Sequence, residues 1–415
     1  MVDNFISIIK KLNVPKVILR FIMMNFLDLT TIKNLLFTVK EMNVLDNYSK
    51  DLLVKATNGF DWNCKNGHLT VAKWLYSLGD VNIHADNEYA FRVSCGNGHL
   101  TVAKWLLGLG TTCSHPTCPS GTRYSLGNIR IHTNNEQAFR LSCRNGHLTV
   151  AKWLYSLGVD IHANDEYAFG RSCKYGHLHV AKWLLGLGTT YSLGEGMDLV
   201  DPSSPARTGQ GEGMDRTNLS SLALKGQGQV NIHADNEYAF KWSCKNGHLT
   251  VAKWLYSIGA NIHADNDCAF IWSCITGHLT VAKWLYSLGG IDIHADNELA
   301  FGSACQKGHL TVAKWLYSLD NVNIHAVNDD AFGWACTNGH LTVAKWLYSL
   351  GGVNIHVRDE DAFRWACRNG HLAIAKWLYS LGVDIHADNE YAFRLSCDEK
   401  KSNVLDWLNN LVAKN

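Results

Sequence analysis

Residues 133–162 read TNNEQAFRLSCRNGHLTVAKWLYSLGVDIH, and this stretch decides the fold. Its Gly-His-Leu tripeptide returns nine times, beginning at Gly67, Gly98, Gly146, Gly176, Gly247, Gly277, Gly308, Gly339 and Gly370, with spacings of 31, 48, 30, 71, 30, 31, 31 and 31. Such a period marks an array in which each unit contacts its neighbours. Ahead of the glycine, Ala138, Phe139, Ser142 and Cys143 fall at i, i+1, i+4 and i+5, one face of a helix; after it Val150, Ala151, Leu154 and Leu157 do the same for a second helix. Gly146 and Gly158 stand where a chain leaving a helix needs a positive φ. The unit is therefore a helical hairpin followed by a short extended link. One hairpin cannot bury both of its faces, so stacking is obligatory. Small residues on the first helix admit the next hairpin, and the recurring Trp-Leu of the second is expected to supply most of the buried area, at about 25 cal/mol per Å².

Composition agrees with an array. The 415 residues exceed what one core organises, hydrophobic residues make up 47%, and only 5 prolines interrupt helices. With 38 basic and 37 acidic residues the net charge is +1, which argues against a nucleic-acid partner. The apolar stretch from Val17 to Leu29 carries Arg20, falls short of the roughly 20 residues a membrane span needs, and lacks a small-residue cleavage site. A soluble protein with no membrane partner is expected. The thirteen cysteines are odd in number and mostly recur at one repeat position. Stacked helices lie about 8–10 Å apart, beyond the roughly 7 Å a disulfide spans, so those thiols should stay reduced, as in cytoplasm.

The run NGHLTVAKWLYSLG resembles the inter-helix turn and second helix of ankyrin repeats, and the resemblance covers residues 55–415 apart from insertions near 107–128 and 185–229. It implies an all-α ankyrin-type solenoid of about ten helix-turn-helix repeats. The family's Thr-Pro-Leu-His signature is absent; Tyr89-Ala90-Phe91-Arg92 stands in its place. The period is also shorter than the usual 33, so the projecting hairpin fingers should be short or absent. Repeats of this type, with Ile-His before each next unit, look most like the ankyrin proteins of giant DNA viruses of amoebae, which would make the partner a host protein and the compartment host-cell cytoplasm. From Asp398 the pattern degenerates to DEKKSNVLDWLNNLVAKN, with Lys400-Lys401 at the Gly-His positions and Val404, Trp407 and Leu408 keeping the stripe; residues 386–415 read as a capping repeat.

Residues 1–54 are not repeats. They read either as a helical cap or as a module resembling a degenerate F-box, with Pro15, Leu19, Ile22, Leu27, Asp28, Ile32, Leu35 and Lys40 in matching places and Asn13-Val14 and Val39-Lys40 as departures. The F-box resemblance implies the linker subunit of a cullin-type ubiquitin ligase as a partner, and a substrate-recognition adaptor as the function.

Twenty histidines invite a chemical reading. Nine follow the glycine, and nine follow an isoleucine: His84, His132, His162, His233, His263, His294, His325, His356 and His386. A group present in every unit serves the unit's folding, whereas a catalytic group is usually present once. The Cys-x-x-x-His pair, as in Cys95 and His99, repeats likewise and lacks further convergent ligands; Cys113, His115 and Cys118 crowd six residues with no second pair. No nucleophile-base pair and no phosphate loop stands out. The chain is thus expected to have no catalytic, cofactor or metal residues.

Variation between units is more informative. At the position of Val93 the other units carry Leu141, Arg171, Trp242, Trp272, Ser303, Trp334, Trp365 and Leu395; one residue earlier stand Arg92, Arg140, Gly170, Lys241, Ile271, Gly302, Gly333, Arg364 and Arg394. Tryptophan and arginine most often anchor interfaces. Trp242, Trp272, Trp334 and Trp365, with Arg92, Arg140, Arg364 and Arg394 around them, are therefore the expected contacts of a protein partner, against the alternative that these tryptophans pack between repeats. The expected protein is a monomeric, non-catalytic scaffold burying roughly 1,200–2,000 Å² against that partner.

Overall fold

The computed structural model describes residues 59–77, 81–109, 129–189, 228–319, 322–399 and 402–413. They form twenty helices, and no strand occurs among them. The helices pair as ten hairpins: α1 (Gly59–Lys65) with α2 (Leu69–Ser77), α3 (Ala85–Gly96) with α4 (Leu100–Leu109), α5 (Thr133–Arg144) with α6 (Leu148–Tyr155), α7 (Ala163–Lys174) with α8 (Leu178–Thr189), α9 (Ala234–Lys245) with α10 (Leu249–Ser257), α11 (Ala264–Ile275) with α12 (Leu279–Ser287), α13 (Ala295–Gln306) with α14 (Leu310–Tyr317), α15 (Ala326–Thr337) with α16 (Leu341–Ser349), α17 (Val357–Arg368) with α18 (Leu372–Ser380), and α19 (Ala387–Asp398) with α20 (Ser402–Val412). Two compact units divide them at Asp160 and Ile161, and within each unit hairpins stack on their sequence neighbours.

The turn inside each hairpin is made by glycine for two reasons. Gly277, for example, has φ +81, and a Cβ there would lie 2.5 Å from the ring of His309 in the next hairpin. The same 2.5–2.7 Å approach is made at Gly67, Gly98, Gly176, Gly247, Gly308 and Gly339. In these hairpins the histidine after the glycine thus lies on its predecessor's glycine, and His371 Nε2 donates back to the Thr337 carbonyl of the preceding hairpin at 3.1 Å.

The apolar stripes are buried as the pattern requires: Ala138, Phe139, Cys143, Val150, Ala151 and Leu154 are all at most 1% exposed. One expectation changes. The tryptophan of each Trp-Leu pair is only half-buried, and the largest fully buried side chains are headed by the first-helix phenylalanines, Phe91 and its counterparts. The tryptophan instead meets rings of the preceding hairpin: Trp315 lies edge-on, 6.3 Å from Phe270 and 5.9 Å from Tyr286. A broad ring at the edge of a seam cannot be closed off by one neighbour, whereas phenylalanine at its centre is covered on both sides.

The first turn of most first helices is left-handed. Asp86, Asn87 and Glu88 have φ of 47, 55 and 64°, and the same three positions repeat this in nearly every hairpin. Asp and Asn tolerate that region better than other side chains. The third residue is held by tertiary bonds. Glu237 is 4% exposed, accepts from His233 Nδ1 at 2.5 Å, and accepts from the backbone N–H of Asn261 in the next link at 3.1 Å. The clasp recurs through Glu88, Glu166, Glu298, Asp329 and Glu360. It explains the histidines that follow isoleucine as structural, and it was not foreseen from the apolar pattern. No strand or finger occupies the described links; Ile258–His263 passes straight from α10 into α11.

Residues 1–54, with the F-box-like or cap reading, lie outside the described residues, as do Cys113, His115, Cys118 and Lys400-Lys401. Of the insertions near 107–128 and 185–229, residues up to 109 and 189 continue α4 and α8; 110–128 and 190–227 are not described. In the last hairpin, Val404 and Leu408 are fully buried while Asp406, Asn409 and Asn410 face solvent.

Candidate functional site

The side chains that vary between repeats project from the middle of the first helices, where the constant residues are consumed by the seam. Trp242 on α9 and Trp272 on α11 are both half-buried, with ring centroids 5.3 Å apart and planes at 57°. The Lys245 ammonium lies over both indoles, at 4.3 and 4.4 Å, and Lys174 of α7 lies 3.3 Å from Trp242. Cations placed on indole faces contribute about 0.5–2 kcal/mol each. Beside them Arg171 lies over Tyr167 and Tyr238 at 4.8 and 5.2 Å. Among the described residues neither Arg171 nor Lys245 forms an ion pair, whereas Lys241 is spent on Asp265. The Lys241 hydrogen bond, first of all, holds the exposed Asp265 carboxyl below its usual range.

Trp334 on α15 and Trp365 on α17 line a cleft of about 260 Å³ together with Asp330, Asp361, Phe332 and Gly333. Trp334 leans over Gly302, whose Cβ would stand 3.1 Å from its ring, and Trp365 carries Arg368 at 4.7 Å. The two tryptophan pairs are therefore half-exposed aromatic surfaces set on a rigid stack.

The four arginines are placed differently. Arg92 is buried, at 8% exposure, and donates to the carbonyls of Asn87 and Asp86 at 2.7 and 2.6 Å and to Gln137. Arg140 donates likewise to Asn135 and Asn134. Arg364 reaches the Arg358 carbonyl and Asp388, and lies 5.1 Å over Tyr391. Arg394, exposed, lies 5.2 Å over the same ring. All four thus reach a carbonyl of the left-handed turn of their own helix, Arg394 to Asp388 at 3.3 Å, and Arg394 is the most exposed of them.

Chemistry of other kinds finds little support in the described residues. Burial pushes up the cysteines at the repeat position from Cys64 to Cys367, Cys64 and Cys367 themselves to about 12, so these thiols are protonated and unreactive at neutral pH. No group of three or more His, Cys, Asp or Glu suited to a metal ion occurs among them, and no described helix is long and apolar enough to cross a membrane.

A family model for ankyrin repeats, three copies, matches residues 60–165 and 301–389. No curated protein matches the chain closely enough to count as similar. No enzyme family is indicated, and ankyrin repeats generally serve as binding scaffolds for other proteins.

Proposed function

We propose that this chain, whose residues 60–165 and 301–389 are ankyrin repeats, is a non-catalytic scaffold that captures a protein partner on the variable positions of its first helices, chiefly Trp242, Trp272, Trp334 and Trp365. One observation carries the reading. The constant residues of every unit are spent on glycine-histidine packing, on the carboxylate clasp and on the phenylalanine seam, while these four indoles stay half-exposed. Large aromatic surface on a rigid support is what interface anchors require, because little entropy is lost on binding.

The test is affinity capture with the full chain, followed by the same capture with Trp242, Trp272, Trp334 and Trp365 all changed to Ala. Loss of a captured protein from a variant with unchanged helical circular dichroism supports the reading. Retention of that protein removes these residues from the interface. Buried, protonated cysteines suit a reducing compartment such as cytoplasm. The finer readings, a host-protein target and an adaptor that recruits a ubiquitin-ligase linker subunit through residues 1–54, draw on sequence resemblance alone; the linker subunit should co-purify with the intact chain if the adaptor operates.

A further inference from the structure

In several repeats the residue just after the buried phenylalanine is a cation that bonds to carbonyls of its own left-handed turn, to the aspartate that opens the next first helix, or to both. Arg92 and Arg140 donate to two carbonyl oxygens of their own left-handed turn. Arg364 uses one of those carbonyls and the aspartate that opens the next first helix, Asp388, and lies over Tyr391 of that same helix. Lys241 reaches the equivalent aspartate, Asp265. Two peptide carbonyls, a carboxylate and a tyrosine ring thus form a cage for a guanidinium or ammonium group.

On α7 this position is Gly170, and the cage remains. The left-handed turn is present, with Asn164 and Asp165 at φ 62 and 52°. Asp235 opens α9 as Asp265 and Asp388 open theirs, and Tyr238 stands in the place of Tyr391. These residues and Gly170 line a cleft of about 710 Å³. Among the described residues no side chain donates to the Asn164 or Asp165 carbonyl and no cation pairs with Asp235, in contrast to the bonds at the sister positions. The Tyr238 hydroxyl is buried without a hydrogen-bond partner. Of the other charged groups on the cleft, Glu166 accepts from His162 and from the Asn231 N–H, and Arg171 lies over Tyr167 and Tyr238.

The remaining glycines at this position do not repeat the arrangement. Gly302 is covered by Trp334, and beside Gly333 the next first helix carries Arg358 where Asp235 stands here.

We propose that the Gly170 cleft receives an arginine side chain of the bound partner, which supplies from outside the cation that sister repeats supply from within. A planar guanidinium matches paired carbonyls and a carboxylate better than a point-like ammonium, and can lie against Tyr238. The proposal rests on the partner-binding reading for the source of the side chain. It does not depend on that reading for the chemistry of the cleft.

The test uses N-acetyl-arginine amide as probe with the full chain, read by saturation-transfer NMR and competition. The expected result is binding that weakens about tenfold or more for N-acetyl-citrulline amide, which has the same shape and no charge. Gly170→Arg should close the cleft with the sister repeats' own residue and abolish binding. Asp235→Asn, which perturbs packing less, should weaken it about tenfold. Equal binding of the citrulline compound, or unchanged binding to a folded Gly170→Arg chain, overturns the proposal. Free arginine binding tenfold tighter than the capped amide would identify an amino-acid site and overturn the peptide source. Charge-selective probe binding together with failure to capture any protein would instead sink the scaffold reading, and with it that source.

Discussion

Two pairs of tryptophans occupy the same repeat positions and behave differently. Trp242 and Trp272 close on each other and are capped by Lys174 and Lys245; Trp334 and Trp365 line a cleft. One contrast lies in the residue before the first tryptophan of each pair, Lys241 against Gly333. Lys241 and Ile271 back the first pair with bulk and with an ion pair to Asp265, whereas Gly333 leaves space in which an added Cβ would meet nothing within 4 Å. One pair is a packed surface and the other a recess, so the side chain beside the anchor, and not the anchor itself, sets the relief of the binding face.

The largest test removes a seam phenylalanine from the helix that carries one tryptophan of each pair. Phe270→Ala should cost about 3–5 kcal/mol, and Phe332→Ala, which opens onto an existing cleft, should fall at or below the lower end of that range. Urea midpoints of the two variants decide, and a larger loss for Phe332 would erase the distinction. Next, Trp272→Ala should cost about 2–3 kcal/mol and Trp365→Ala about 1–2, because each loses a cation on its face but only the first also loses a ring partner. A smaller effect sharpens the recess side. Val327, a β-branched residue at φ 54° on the helix that carries Gly333, should gain about 1 kcal/mol on replacement by Asp, the residue of most sister repeats. Gly333→Ala should add about 0.5–1 kcal/mol through helix propensity, and it should narrow the cleft without disturbing the Trp242–Trp272 pair.

The last prediction concerns the glycine-histidine turns. Partial burial, first among the causes, holds His147, His248, His278 and His309 below the free value of 6.5. The unfolded chain therefore binds more protons than the folded one at mildly acidic pH. Stability contributed by the neutral rings is complete above pH 6.5 and is lost as pH falls through the lowered values. A modest decrease in urea midpoint from pH 7.5 to 5.5 is expected from these groups. A midpoint that rises over that interval would show another titration to dominate.

Much of the fold was legible from residues alone, because a period of 30–31 with two apolar stripes and a glycine between them admits few structures. The stripe residues Ala138, Phe139, Cys143, Val150 and Leu154 are buried, and Gly146 and Gly158 take positive φ. The candidate site was less legible. The sequence marked the variable positions, and with them Trp242, Trp272, Trp334 and Trp365, but it did not show that Arg92 is turned inward. It also gave no sign of the carboxylate clasp, since an Asp-Asn-Glu run at the start of a helix reads equally well as a polar first turn.

Sequence by itself determined the hairpin, its repetition and its seam, since those follow from local spacing and from the need of each apolar face for a neighbour. Only the tertiary structure decided which side chains remain available. A cation at the position of Arg92 or Gly170 meets its acceptors in a left-handed turn of its own helix and at the start of another repeat. No local pattern records whether those groups, brought together by stacking, find a partner inside the chain or are left facing outward for one.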